Sequence, residues 1–428
     1  MIKNNIKYEF IKYTSLNIIG MVGLSCYILA DTFFIAQGVG IVGLTSLNIA
    51  LPIYMLMHAT GLMIGIGGAT KYSIYNLKDV FTKSISYAFL ISMFFVLIGA
   101  FFTKNISLLL GANAETLEHT KVYMQTILLA SPLFLFNNVV ICFVRNDNNP
   151  KLSMCAMTIG CLSNIILDYI LIFPFKLGMF GAAFATTLSP TISLIILSLH
   201  FINKKNNLKI YKAYLLIKLK DLISITSTGV ATFVTELSSG IVMVVFNIII
   251  LNISGNIGVA AYGIIANISL VIISIFTGIS QGIQPLISRC YGENRNKDIK
   301  KILKYSVITS ITISVIIYLF SIFFTDIIIS FFNKDTNIVL SQIANTGIKI
   351  YFISYVFSGL NIVITTYLNS ITKIKYAFII SLLRGFLVLI PFVIILSSIF
   401  KINGVWASVP LTELIILFIS IHMLKQSN

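Results

Sequence analysis

Residues 151–201 read KLSMCAMTIGCLSNIILDYILIFPFKLGMFGAAFATTLSPTISLIILSLHF. Two apolar runs, 151–173 and 178–201, flank a short break that contains Pro174 and Lys176. Each run has the ~20 residues an α-helix needs to cross a ~30 Å hydrocarbon core. Asp168 lies deep in the first run. An ionisable side chain held there costs at least about 2.5–3.5 kcal/mol, which marks it as a functional-site candidate. The pattern recurs along the chain, with Asp31 and Glu236 embedded in the same way.

Of the 428 residues 57% are hydrophobic and only 10% charged, too few charges to coat a soluble protein of this size. Twelve spans can be drawn, at about 12–36, 46–70, 83–103, 121–144, 151–173, 178–201, 222–250, 257–288, 302–324, 340–369, 375–400 and 403–424. The class is an all-α integral membrane protein. The run after Lys12 is long enough to span and shows no small-residue cleavage site, so the first helix is expected to stay attached. Five cysteines in mostly apolar surroundings, without CxxC pairs, are expected to serve packing.

The net charge of +16 invites a nucleic-acid partner, but its distribution argues against one. With the N-terminus inside, 23 Lys and Arg fall on the inner side and six on the outer, leaving Arg384 within a span. That bias predicts both termini in the cytoplasm, and the plasma membrane is the expected location. The basic linker 204–220 separates an N-terminal six-helix lobe, 1–203, from a C-terminal one, 221–428. Gly43, Ile49 and Gly67 match Gly258, Ile264 and Gly282 at a shift of 215. Asn138, Asn146 and Gly181 match Asn361, Asn369 and Gly404 at a shift of 223. Six spans per half make the repeats parallel, which predicts two pseudo-symmetric lobes with a substrate path at their interface.

Asp31 stands 19 residues past Lys12 and Asp168 17 past Lys151. Those separations are about 28 Å and about 26 Å of helix, so the two carboxylates fall at similar depth. Asn164, four residues before Asp168, shares its face. Thr186 follows Gly181 in the small-residue stretch GAAFATT, which permits close helix approach. Two carboxylates, an amide oxygen and a hydroxyl suit a hard cation such as Na⁺, and suit a proton equally. The alternative is two unrelated acids, each bonded to local backbone or hydroxyl groups. At the repeat shifts Asp31 and Asp168 correspond to Phe246 and Pro391, so the acids serve one lobe only.

Glu236, 15 residues past Asp221 and near the middle of the seventh span, is suited to attracting cationic cargo or titrating separately. Bonding to Thr235, Ser238 or Ser239 is the alternative. Arg384 and Glu413 on adjacent antiparallel spans read as a structural ion pair. His58 reads as a packing residue ahead of a proton relay. Prolines within spans, Pro132 and Pro190 among them, bend helices. Met55, Met57 and Met63 are suited to an adaptable cavity, although most such side chains simply face lipid or neighbours.

The segments ADTFFIAQGVGIVGLTSLNIALPI (30–53), FVRNDNNPKLSMCAMTIGCLSNIILDYILIFPFKLGMFGAAFAT (143–186) and ISQGIQPLISRCYGENR (279–295) resemble the multidrug and toxin extrusion (MATE) family of bacterial transporters. The resemblance implies twelve helices in two lobes opening as a V, and export of organic, often cationic or aromatic, drugs in exchange for H⁺ or Na⁺. It implies that Asp31, Asn164, Asp168 and Thr186 form a first-lobe cation or proton site. Glu236 matches an acid implicated in the second lobe of some members, Asn137 falls near a polar cavity position, and Gln281 and Gln284 belong to a family pattern. Other members carry a further acid on the tenth span. Here Leu360–Tyr367 offers only Asn361 and threonines, which disfavours a second-lobe Na⁺ site.

A lipid or lipid-linked saccharide flippase is the rival reading, but it would need basic residues to hold pyrophosphate, and the spans offer only Arg384. No HExxH or paired His/Asp constellation points to an enzyme. The expectation is a monomer in the lipid bilayer that acts on small molecules and needs no cofactor beyond its coupling ion.

Overall fold

The computed structural model describes residues 5–202, 206–211, 218–332 and 337–427, and among these the elements are helices. In chain order they are α1 Ile6–Gly38, α2 Ile41–Tyr75, α3 Asp79–Phe101, α4 Thr103–Leu109, α5 Leu117–Leu129, α6 Ser131–Asn146, α7 Pro150–Ile172 and α8 Gly178–Ile202. There follow α9 Leu219–Gly292, α10 Asn296–Phe323, α11 Thr325–Phe332, α12 Ile338–Tyr351, α13 Ser354–Ser370, α14 Ile374–Leu382, a π-helical turn Leu383–Leu387 and α15 Leu389–Ser427.

Eight helical runs are long and apolar enough to cross a membrane, and two bent pairs raise that number to ten. Two of the eight hide a reversal. Gly255 in α9 and Lys401 in the last run have non-helical backbone at positive φ. The rings of Phe246 and Tyr262 stack 5.4 Å apart, although 16 residues would separate them by about 24 Å on a continuous helix. A Cβ on Gly404 would likewise strike the carbonyl of Leu396. The described residues therefore hold the twelve spans that hydropathy predicts.

Three features depart from that pattern. The fourth span is broken by 51° between α5 and α6, and the tenth by 44° between α12 and α13. Pro132 opens α6, where its missing N–H is no loss and its fixed φ favours a fresh helix start. The short helices α4 and α11 follow the third and ninth spans at equivalent places in the two halves.

The chain forms two compact units. The N-unit holds Ile19–Leu237 and Ser288–Asn294, and the C-unit holds Met1–Ile18, Ser238–Ile287 and Arg295–Asn428. These bodies cross the halves of the sequence, because the first turns of α1 and of α9 each group with helices of the other half. Glycine makes this packing close. In the N-unit, a Cβ on Gly67 would collide with the Ile225 carbonyl and lie 2.9 Å from Gly229 N. In the C-unit, a Cβ on Gly282 would lie 2.7 Å from Thr14 Cα. Gly67 with Gly282, and Thr14 with Gly229, are each related by the 215-residue shift, so one crossing is built twice. Gly43 and Gly258 repeat a second geometry, each facing the residues four and eight positions earlier.

Asp147, in the turn between α6 and α7, is the hub of the cytoplasmic end expected for the N-unit. Its Oδ1 accepts from Tyr72 Oη at 2.8 Å and Asn207 Nδ2 at 3.0 Å. Its Oδ2 accepts from His200 Nε2 and from the Asn207 N–H, both at 2.9 Å. Asn149 accepts from Leu152 N–H and donates to His200 Nδ1 at 3.2 Å, which leaves the imidazole proton on Nε2. Burial pushes the Asp147 carboxyl up, but these donors outweigh burial and hold it below its usual range. The stabilisation this gives is full above the ordinary carboxyl value of about 4 and is lost as pH falls from there through the lower folded-state value. Asp147→Asn should therefore lower the thermal midpoint at neutral pH and give a shallower fall between about pH 5 and pH 3 than the native chain. Parallel acid limbs in a thermal-shift series would refute this assignment.

Candidate ion-binding site

Within the N-unit, α1, α7 and α8 bring Asp31, Asp168, Asn164 and Thr186 together. All four are buried, Asp168 and Asn164 at 0% exposure. Asn164 lies one helical turn before Asp168 and, with its amide oriented to satisfy both neighbours, donates to Asp168 Oδ2 at 3.0 Å and accepts from the Thr186 N–H at 3.2 Å. The Thr186 hydroxyl donates to the Ala182 carbonyl at 3.0 Å. Asp31 acts electrostatically on Asp168. Gly160 lets α8 approach α7, and Ser189 Oγ donates to its carbonyl at 2.9 Å.

Each carboxylate keeps one buried oxygen, Asp31 Oδ1 and Asp168 Oδ1, that no described residue bonds. Buried polar atoms are nearly always partnered, and a lone buried charge is costly. Two orphaned acceptors on neighbouring acids fit a proton or a small hard cation. Among the described residues no three His, Cys, Asp or Glu side chains cluster as a metal centre.

Tyrosines surround the acids, and sequence reasoning missed them. Tyr27 and Tyr54 share a hydroxyl–hydroxyl hydrogen bond of 3.0 Å. Tyr54 feels both Asp31 and Glu236, and Tyr123 feels Asp31 and Asp168 while bonding Thr186. One signal was present: Tyr27 precedes Asp31 by four residues and so shares its helix face.

Glu236, which its place in the sequence assigns to the second lobe, lies in the N-unit with the Asp31 site. The physical reason is the glycine crossing, where Gly229 lets α9 meet the α2 backbone at Met63. Glu236 is half-buried. Asn137 is also in the N-unit, with its Oδ1 buried and unbonded among the described residues. Gln281 and Gln284 are buried and bonded in the C-unit. His58 stacks on Tyr54 and takes Asn138 Nδ2 at 3.2 Å on Nδ1, the contacts of a packed residue. In the C-unit Arg384 Nε meets Glu413 Oε1 at 2.6 Å.

These features define a multi-pass helical membrane protein with a buried ionisable site. The chain belongs to the MatE family, whose model matches residues 17–170 and 230–395. It is 27% identical over 379 residues to the multidrug export protein MepA of Staphylococcus saprophyticus, covering 87% of this chain and 83% of that one. Its identity to the Staphylococcus haemolyticus protein of the same name is also 27%, over 389 residues, covering 89% and 84%. Among solved structures, a MATE in complex with MaL6 superposes with a TM-score of 0.93 at 19% identity, over 99% of this chain and 97% of that one. An outward-facing multidrug resistance MATE family transporter of the MOP superfamily gives 0.90 at 19%, over 99% and 96%. These likenesses establish the fold, and the named relatives are transport proteins.

Proposed function

We propose that the protein is a secondary antiporter of the plasma membrane. It exports organic, often cationic or aromatic, compounds in exchange for H⁺ or Na⁺ bound by Asp31, Asn164, Asp168 and Thr186. The observation that carries this reading is the pair of orphaned carboxylate oxygens on Asp31 and Asp168. Support for organic cargo comes from the multidrug export proteins to which the chain is similar.

An ion entering from outside favours the form that releases cargo outward, and the emptied site returns to collect cargo inside. Coupling requires that ion and cargo prefer different forms, since equal affinity for both shifts nothing. One positive charge moving inward gains about 2.3 kcal/mol per 100 mV, enough to sustain a modest cargo gradient. The chain works as a monomer with both termini in the cytoplasm.

Reconstitution in proteoliposomes with a fluorescent cationic dye tests the reading. A pH gradient or a Na⁺ gradient, each imposed alone, should drive dye across the membrane in at least one case. Dye movement indifferent to both gradients would overturn it.

A further inference from the structure

The geometry points to Arg384 as a carboxylate-binding group in the C-unit, with Glu413 as the internal counter-ion that competes for it. This rests on the organic-cargo reading above and deepens it by naming a class of cargo: amphipathic molecules that carry a carboxylate, zwitterions included.

Arg384 sits in the π-helical turn Leu383–Leu387, a local widening that often marks functional positions in helices. It lies on the interior face of its span. Ala377, Ile380 and Ser381 before it are buried, as are Leu389 and Val393 after it, whereas Leu387 faces outward. Ten residues separate it from Ile374 at the start of the helix, about 15 Å, which puts it near the middle of the membrane.

The pair it makes is lopsided. Glu413 is fully held: Oε1 takes Arg384 Nε at 2.6 Å and Oε2 takes Asn361 Nδ2 at 2.8 Å. Asn361 is itself fixed, donating also to the Glu413 carbonyl at 2.9 Å and accepting from Ser420 Oγ at 3.1 Å. The guanidinium has five N–H donors, of which Nε alone is bonded to a described residue. Its two terminal nitrogens remain uncommitted while the side chain keeps 17% exposure. Arginine–carboxylate pairs are frequently two-pronged. Here the acid meets the side nitrogen, and the fork is left without a hydrogen-bond partner among the described residues. A planar fork of donors matches a carboxylate and discriminates against a neutral ester.

The site carries its own reporter. Trp406 is the single tryptophan of the chain, is fully buried, and lies seven residues before Glu413, about 10 Å along the same helix. In the purified full-length protein, energy transfer from Trp406 to an aminomethyl-naphthoate zwitterion can be compared with transfer to its methyl ester. The native protein should bind the zwitterion at least about tenfold tighter. R384K keeps a positive charge beside Glu413 but lacks the fork, and should bring the two ligands within about twofold without changing ester affinity. E413Q frees the guanidinium and should widen the preference beyond that of the native protein, a gain that a purely structural pair would not give. Equal affinities in the native protein, an undiminished preference in R384K, or a narrowed one in E413Q would each overturn the assignment. Gradient-driven dye movement in the same preparation reports separately on antiport, so failure of one reading leaves the other measurable.

Discussion

Asp31→Asn is expected to reduce gradient-driven dye export to the level of protein-free vesicles, and Asp168→Asn to do the same. Asparagine copies the shape of the side chain but can neither bind and release a proton nor supply the negative charge that a cation needs. The orphaned Oδ1 atoms make this loss specific. Each acid already satisfies little through the protein, so removing its charge should weaken the proposed ion binding more than the fold. Both variants should therefore remain monodisperse and melt at or above the native temperature, since a buried charge has been removed. Export at native rates by either variant would end the assignment of the site. A collapse in yield would instead mark the acids as structural.

The second large effect concerns folding. A methyl group on Gly229 would fall inside the van der Waals envelope of the Met63 carbonyl oxygen. Backbone cannot swing aside as a side chain can, so Gly229→Ala should cost about 3 kcal/mol or more. The readouts are the thermal midpoint in detergent and the fraction recovered as a single species. Gly263→Ala is the control, because nothing lies within 4 Å of the added carbon, and alanine gains up to about 1 kcal/mol over glycine in a helix. Equal behaviour of the two variants would refute the close crossing of α2 and α9.

Much of this was legible before any coordinates. Span number follows from hydropathy because each apolar run had to be long enough to cross lipid, and turns such as Gly255 and Lys401 separate runs even where helix flanks them directly. Asp168, Asn164 and Thr186 could be placed together since a four-residue spacing fixes a face and GAAFATT permits close approach. The break at Pro132 was less legible, because a proline inside an apolar run signals a bend without saying how large. Asn207 was invisible as the partner of Asp147, since a contact across 60 residues of sequence leaves no periodic trace. The same limit hid the neighbourhood of Glu236. Its position along the chain says second half, and only the crossing of Gly67 with Gly229 shows which helices surround it.

The exchange of helix starts between the two bodies has a consequence for biosynthesis. The body around α2 and α6 needs residues through Leu237 and again Ser288–Asn294, while the opening residues through Ile18 belong with helices synthesised more than 200 positions later. A nascent chain halted at the basic linker would leave its leading end without a final partner and its first core unfinished. The ribosome must deliver the whole eighth span, to the end of α9, before the N-unit can close, and the C-unit needs residues to Asn428, so maturation is expected late in translation, with membrane insertion running ahead of packing.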